Sequence, residues 1–250
     1  AFPADTVLWD RMRPADPQAI IAARKRLRTH LADQLAAQWR AVYSAMRVTG
    51  PYRPSAADIG KRSLGIMALG MMARHGGADQ TLVDLFAQAE NLTERFAAYR
   101  IARADATPAV AEQISAAFLE AADTDEVLDL WLSTEAVNES TATLDRVQTL
   151  TTHPRFSWTN PNRVRAVVGA FAHRNVKAFH TADGYQWLAT VIGRLDQSNP
   201  QVASRMVQPL GQWALLAEPY ASDMQSALES LAVMKLSTDL YEIVEKSRKR

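Results

Sequence analysis

The sequence contains no cysteine among its 250 residues. That excludes disulfides, thiolate metal sites and cysteine nucleophiles. Glycine (10) and proline (11) are scarce for this length, so few positions force a helix to stop. An excess of one charge is missing too. With 28 basic and 27 acidic residues the formal net charge is +1, and no global basic surface exists to attract nucleic acid or anionic lipid. No stretch approaches eighteen consecutive apolar residues, so no membrane span is expected. No basic segment leads into an apolar run, so no secretory signal is expected and the location is expected to be cytoplasmic. What remains is a globular composition, 48% hydrophobic and 22% charged.

Alanine, leucine, arginine, glutamine and glutamate recur throughout, and no alternating run rich in Val, Ile, Thr and Tyr marks a strand. The longest periodic segment is 17–47. Asp16 is placed to accept from the first turn and Pro17 suits the first helical position. A stripe of Ile20, Leu27, Leu31, Leu35, Trp39, Val42 and Met46 then follows helical spacing. Arg24, Lys25, Arg26, Arg28, Asp33 and Arg40 lie between and read as a solvated face. Gly50-Pro51 breaks the chain, and Ser55-x-x-Asp58 reads as a capping box. The helix it opens carries Leu64, Met67, Ala68, Met71 and Met72, read as core, and stops at His75-Gly76-Gly77. Further helices are predicted at about 79–90, 92–105, 108–121, 124–136 and 141–152, with Thr107-Pro108 as another cap-then-proline start. Asp123, Asp125 and Glu126 at a helix start read as dipole partners rather than acid–base groups.

Asn160-Pro161 and Asn199-Pro200, 39 residues apart, each open an apolar helix with an arginine in its second turn, Arg165 and Arg205. A unit of this length falls in the range of helical repeats. The predicted fold is all-α, a superhelix of HEAT-like antiparallel helix pairs with about twelve helices, forming one helical domain over 1–250.

Chemistry is sparse. The five histidines, His30, His75, His153, His173 and His180, are each followed by a non-acidic residue, so no His-Glu-x-x-His zinc site is present. His173 and His180 would share a helix face, but Asn175 and Val176 are expected to interrupt it. There is no phosphate-binding glycine loop and no Gly-x-Ser-x-Gly elbow. No catalytic residue and no metal ligand set is expected in this chain. The reading is a scaffold that lends surface to something else.

Particular motifs sharpen that reading. Thr159-Asn-Pro-Asn-Arg-Val-Arg165, Val168-Gly-Ala-Phe171, Ala178-Phe-His-Thr-Ala-Asp-Gly-Tyr185, Leu195-Asp-Gln-Ser-Asn-Pro-Gln-Val-Ala-Ser-Arg205 and Ser237-Thr-Asp-Leu-Tyr241 together resemble the C-terminal helical domain of bacterial aminopeptidase N, a zinc-dependent gluzincin aminopeptidase family. Asp16-Pro17 and Asp58-Ile-Gly-Lys-Arg62 match more loosely. Where the family commonly has Asp-Gly-Ser-Gly-Tyr, this chain has Asp183-Gly184-Tyr185. The resemblance implies a parent enzyme in which zinc, His-Glu-x-x-His and Gly-Ala-Met-Glu-Asn sit in a separate catalytic domain. It implies that this domain covers the active-site chamber beside the catalytic and β-sandwich domains and admits peptide substrates. Arg165 and Arg205 are then expected to line the chamber, with pairing to Asp or Glu between helices as the alternative, while Asn160, Asn162 and Arg163 fix the turn. Zinc would belong to the parent enzyme, and this chain alone is expected to be inactive. The absent initiator methionine before Ala1-Phe2-Pro3 fits a piece of a longer protein, and Phe2, Val7, Leu8 and Trp9 are expected to expose apolar surface. A free-standing helical-repeat adaptor for a protein or peptide is the alternative; a nucleic-acid binder resting on Arg24–Arg28 and Arg248–Arg250 is a distant third.

Overall fold

The structure, a computed structural model, describes residues 5–138 and 143–249. Its α-helices are α1 (Asp5–Arg11), α2 (Pro17–Gln34), α3 (Ala36–Ala45), α4 (Ala56–His75), α5 (Asp79–Gln88), α6 (Leu92–Asp105), α7 (Pro108–Glu120), α8 (Asp125–Val137), α9 (Leu144–Leu150), α10 (Pro161–Val164), α11 (Ala170–Arg174), α12 (Val176–Phe179), α13 (Ala182–Asp196), α14 (Pro200–Met206), α15 (Tyr220–Ala232) and α16 (Thr238–Arg248). A π-helix, Arg165–Gly169, joins α10 to α11, and a 3-10 helix, Leu210–Leu215, follows α14. Thirteen of the helices have seven residues or more, and the described residues contain no strand, so the all-α expectation of about twelve helices holds. The helix predicted over 141–152 is seen over Leu144–Leu150; residues 141 and 142 lie outside the described residues.

The chain divides into two compact units, one of residues 1–22 and 135–250 and the other of residues 23–134. The divisions fall within α2 and α8. In the 23–134 unit, α4 packs on α3 and α6, and α6 also takes α5 and α7. Its core is centred on Tyr99 and Phe118, both fully buried and stacked with ring centroids 4.5 Å apart. In the other unit α13 packs between α14 and α15, and α16 closes on both. Phe171, Phe179, Leu188, Ile192 and Leu228 fill its interior. The same unit holds an isolated parallel bridge between Ala15 and Leu216, in which Ala15 N–H donates to the Leu215 carbonyl and Ala217 N–H to that of Ala15, each at 2.8 Å. The Arg13–Pro14 and Glu218–Pro219 peptide bonds near it are cis.

Caps place the helices as predicted. Asp16 accepts from the Ala19 N–H at 2.9 Å and Ser55 from that of Asp58 at 3.1 Å. Gly76 and Gly77 have φ of 104° and 82°, a region closed to most side chains, which is why α4 ends there.

Four expectations need correction. The helix predicted over 17–47 breaks at Leu35, where the indole N–H of Trp39 donates to the Leu31 carbonyl at 3.0 Å. That carbonyl would otherwise belong to the Leu35 N–H, whose bond is stretched to 3.3 Å. Leu27, expected in the apolar stripe, is exposed, and α3 buries no residue fully. In α4 Ala68 and Met71 are buried as expected, but Leu64 and Met67 are exposed, and Asp58, Arg62, Gly65, Leu69 and Ala73 are buried in addition. Two polar residues on the inner face hide it from an apolar-periodicity reading. Thr107 stands at the N-cap of α7 but does not cap it; its hydroxyl donates to the Asp79 carboxylate.

Candidate functional site

The resemblance motifs converge on the unit that contains Arg165 and Arg205. Asn160 accepts from the N–H groups of Asn162 (2.9 Å) and Arg163 (3.4 Å), and Pro161 needs no acceptor at the first helical position. Asn199 does the same for α14, accepting from Val202 at 3.2 Å. The two caps match; the helices beyond them do not. After α10 the backbone widens into the π-helix that starts at Arg165, whereas α14 tightens into the 3-10 helix. Single π turns inside helices are rare and concentrate at functional sites.

Two arginines in one motif take opposite roles. Arg163 is 2% exposed, and its Nε donates to the Arg155 carbonyl at 3.1 Å. It holds the preceding loop down, as expected of a turn-fixing residue. Arg165 is exposed and donates from Nη1 to Asn162 Oδ1 at 3.0 Å. The residues after it, Ala166 to Gly169, are buried, so the π-helix pins the backbone and leaves the guanidinium outside.

Arg205 is also exposed. It lines a pocket of about 230 Å³ with Ser204, Gln208, Gly211, Ile243 and Ser247. Among the described residues neither Arg165 nor Arg205 forms an ion pair with a carboxylate. Their helices touch: a Cβ built on Gly169 would lie 3.6 Å from Met206 Cε and 3.7 Å from Arg165 Cβ. Met206, the buried neighbour of Arg205 in α14, is thus what the π-helix meets at Gly169. Nearby, the Arg194 guanidinium lies 4.3 Å from the ring centroid of Trp158, a contact that nothing in the spacing announced.

The remaining motif residues hold this unit together. Asn175 ends α11, caps α12 by accepting from Ala178 N–H at 3.0 Å, and donates to the Ala136 carbonyl at 3.0 Å. It interrupts the helix between His173 and His180, as expected. A Cβ on Gly184 would meet the carbonyl oxygens of Phe179 at 2.5 Å and Ala178 at 2.7 Å, so the shortened Asp183-Gly184-Tyr185 turn still requires glycine. His180 is buried with its Nδ1 2.8 Å from the Tyr185 hydroxyl. Burial pushes its pKa down to about 3, and burial also raises that of Tyr185. Trp9 packs edge-on to the same imidazole at 5.1 Å and is 7% exposed, which corrects the expectation that it faces solvent. Val7 is exposed as expected, Leu8 is half-buried, and Phe2 lies outside the described residues. Asp196 accepts from both the N–H and the hydroxyl of Ser237, each at 2.6 Å, so two motifs 41 residues apart close on each other.

A family model described as a domain of unknown function (DUF3458_C) with ARM repeats matches residues 1–249. The chain belongs to this family. It is 32% identical over 250 residues to aminopeptidase N of Haemophilus influenzae, 33% over 254 to that of Caulobacter vibrioides and 34% over 244 to that of Escherichia coli. The matches cover 93–99% of this chain and 27–29% of those relatives, in their C-terminal part. Thus this ARM-repeat chain spans under a third of the length of the curated relatives it matches. The crystal structure of Legionella pneumophila aminopeptidase A in complex with aspartic acid shares the fold, with a TM-score of 0.88 at 21% identity over 100% of this chain and 31% of that one.

Among the described residues no three His, Asp or Glu side chains come together in a group able to hold a metal ion. His75 meets Asp33 at 2.8 Å, but a single imidazole and carboxylate fall short of the three or four protein ligands such a site uses. Burial lowers the pKa of His153 and of His173, with Arg155 and Arg163 adding to the first and Arg174 to the second.

Proposed function

We propose that this domain is the non-catalytic cover of a zinc-dependent aminopeptidase of the aminopeptidase N type, acting in the cytoplasm with the catalytic and β-sandwich domains of its parent chain. It restricts access to the active-site chamber and presents Arg165 and Arg205 to peptide substrates whose N-terminal residue the parent enzyme removes. The observation that carries this reading is a pair of exposed arginines in two matching Asn-Pro-capped helices, neither paired with a carboxylate among the described residues. A guanidinium left without an anion is placed to receive a peptide carboxylate through two parallel N–H donors. The match to aminopeptidases along nearly the whole chain favours this role over a free-standing adaptor.

The test is kinetic. In the full-length enzyme, Arg165→Ala and Arg205→Ala should raise KM for a short peptide with a free C-terminal carboxylate by about tenfold each, the worth of a charge-assisted hydrogen bond. An aminoacyl-anilide, lacking that carboxylate, should be cleaved as before. Equal effects on both substrates would refute the role of the arginines. Zinc-dependent turnover of the anilide by the 250-residue chain alone would refute the non-catalytic assignment.

A further inference from the structure

The loop that joins α15 to α16 rests on α13 at two points. At the first, Met234 seats its thioether against Gly193: a Cβ built on that glycine would lie 2.5 Å from Met234 Sδ and 3.8 Å from Leu231 Cδ1. At the second, Asp196 accepts from the N–H and the hydroxyl of Ser237, each at 2.6 Å. Gly193 and Asp196 are three residues apart in α13, so they are neighbours on its surface. Ser237 in turn caps α16, its hydroxyl oxygen accepting from Leu240 N–H at 3.4 Å. Around these points the loop is open: Val233 is 87% exposed, and Lys235 is exposed too.

The first point carries a chemistry that the second lacks. The chain has no cysteine, so methionine holds its only sulfur. Of its eight methionines, Met12, Met67 and Met234 are exposed. Met234 is 37% exposed, and its sulfur is what fills the space over Gly193. We propose that Met234 is a site of reversible oxidation by hydrogen peroxide, and that its sulfoxide releases the loop and the start of α16 from α13. The sulfur attacks one peroxide oxygen. An S–O bond forms as the O–O bond breaks, the proton on the transferred oxygen passes to the departing one, and water leaves. The sulfur is oxidised and the peroxide reduced by one electron pair. A soft apolar atom thereby becomes a polar group with a strong acceptor oxygen. Leu231 and the glycine Cα offer that oxygen no hydrogen bond, so the side chain turns to water and vacates the space over Gly193. The loop's attachment to α13 is then left to the Asp196–Ser237 clamp. Because α16 supplies Ile243 and Ser247 to the pocket that Arg205 lines, loosening its start reaches that pocket. The consequence for a peptide substrate rests on the chamber reading of Arg205; the oxidation and the release do not, and their test uses no substrate.

Peptide mass spectrometry and amide hydrogen exchange on the 250-residue chain, before and after graded hydrogen peroxide, test the proposal. Met234 should gain an oxygen alongside Met12 and Met67 and ahead of the buried Met71, Met206 and Met224. Exchange at the Ser237, Leu240 and Tyr241 amides should then rise about tenfold, while the core around Tyr99 in the other unit stays protected. A methionine sulfoxide reductase should reverse the rise. Met234→Leu, close in volume, should still oxidise at Met12 and Met67 but show no such rise. Should that variant fail to fold, Gly193→Ala decides: its Cβ takes the place of the sulfur, and the same amides should quicken without oxidant. Met234 still reduced when Met12 and Met67 are fully converted would overturn the proposal. So would unchanged exchange in the oxidised chain, or an equal rise in Met234→Leu.

Discussion

Asn175 is fully buried and does two jobs at once. Its Oδ1 caps α12 by accepting from Ala178 N–H, and its Nδ2 donates to the Ala136 carbonyl in the last turn of α8, each at 3.0 Å. Asn175→Ala removes the cap, worth about 0.5–2 kcal/mol. It also leaves the Ala136 carbonyl buried without its donor, a further loss of about 1–3 kcal/mol. Together these predict a destabilisation of about 1.5–5 kcal/mol, a large part of the 5–15 kcal/mol typical of a folded domain. Asn175→Asp separates the two jobs. It keeps the cap acceptor but sets a carboxylate oxygen against the Ala136 carbonyl, so at neutral pH it should destabilise at least as much as alanine. Acidification should recover part of the loss, since a protonated carboxyl can donate to that carbonyl. Urea unfolding followed by far-UV circular dichroism at pH 7 and pH 5 measures all three chains, with unchanged m-values confirming comparable transitions. A loss below about 1 kcal/mol for Asn175→Ala, or an Asn175→Asp chain as stable as the unsubstituted one, would refute the reasoning.

Two further outcomes follow from the same unit. His180 has a folded pKa of about 3, below its ordinary value of 6.5, so the unfolded chain binds the extra proton. Its contribution is complete above pH 6.5 and is lost as pH falls toward 3, with a slope of about 1.4 kcal/mol per pH unit. His180→Gln should lower overall stability and flatten that slope by one proton between pH 6 and pH 4, measured by urea unfolding across the series; an unchanged slope would contradict a neutral, buried imidazole. Asp196→Ala removes the acceptor of the Ser237 N–H and hydroxyl and should destabilise by about 1–3 kcal/mol. Hydrogen exchange should accelerate first at the N-terminus of α16, and uniform acceleration along the chain would argue against a local clamp.

The helical class was legible because it rests on local signals. Ser55, Asn160 and Asn199 cap the helices they were expected to cap, and Gly76-Gly77 ends α4 where it should. Inner faces were less legible. Apolar periodicity pointed to Leu64 and Met67, but α4 buries Asp58 and Arg62, whose polar groups meet partners that only the fold supplies. Trp39 shows the limit of helical spacing: it fits the stripe, yet its indole N–H shares the Leu31 carbonyl with the Leu35 N–H where the helix breaks one turn earlier. At the candidate site the sequence singled out Arg165 and Arg205, and the structure leaves both exposed. It did not announce the π-helix, because widening a turn leaves the residue order untouched and changes only which carbonyl each N–H reaches.

The bridge between Ala15 and Leu216 bears on the order in which the chain acquires its structure. Residues 23–134 form a continuous unit and can be complete on the ribosome before residue 216 has been made. The unit that contains the bridge is discontinuous, and its first 22 residues must wait for a partner that emerges late in synthesis. Prior folding of the middle segment shortens the loop that the bridge must close, yet halving a loop saves only about 0.6 kcal/mol in closure entropy. The delay is therefore set mainly by synthesis and by the search for a distant partner. Trp9, buried in the finished unit, lacks its His180 contact until residue 180 has been made. The early segment carrying it is where a chaperone has the longest opportunity to act.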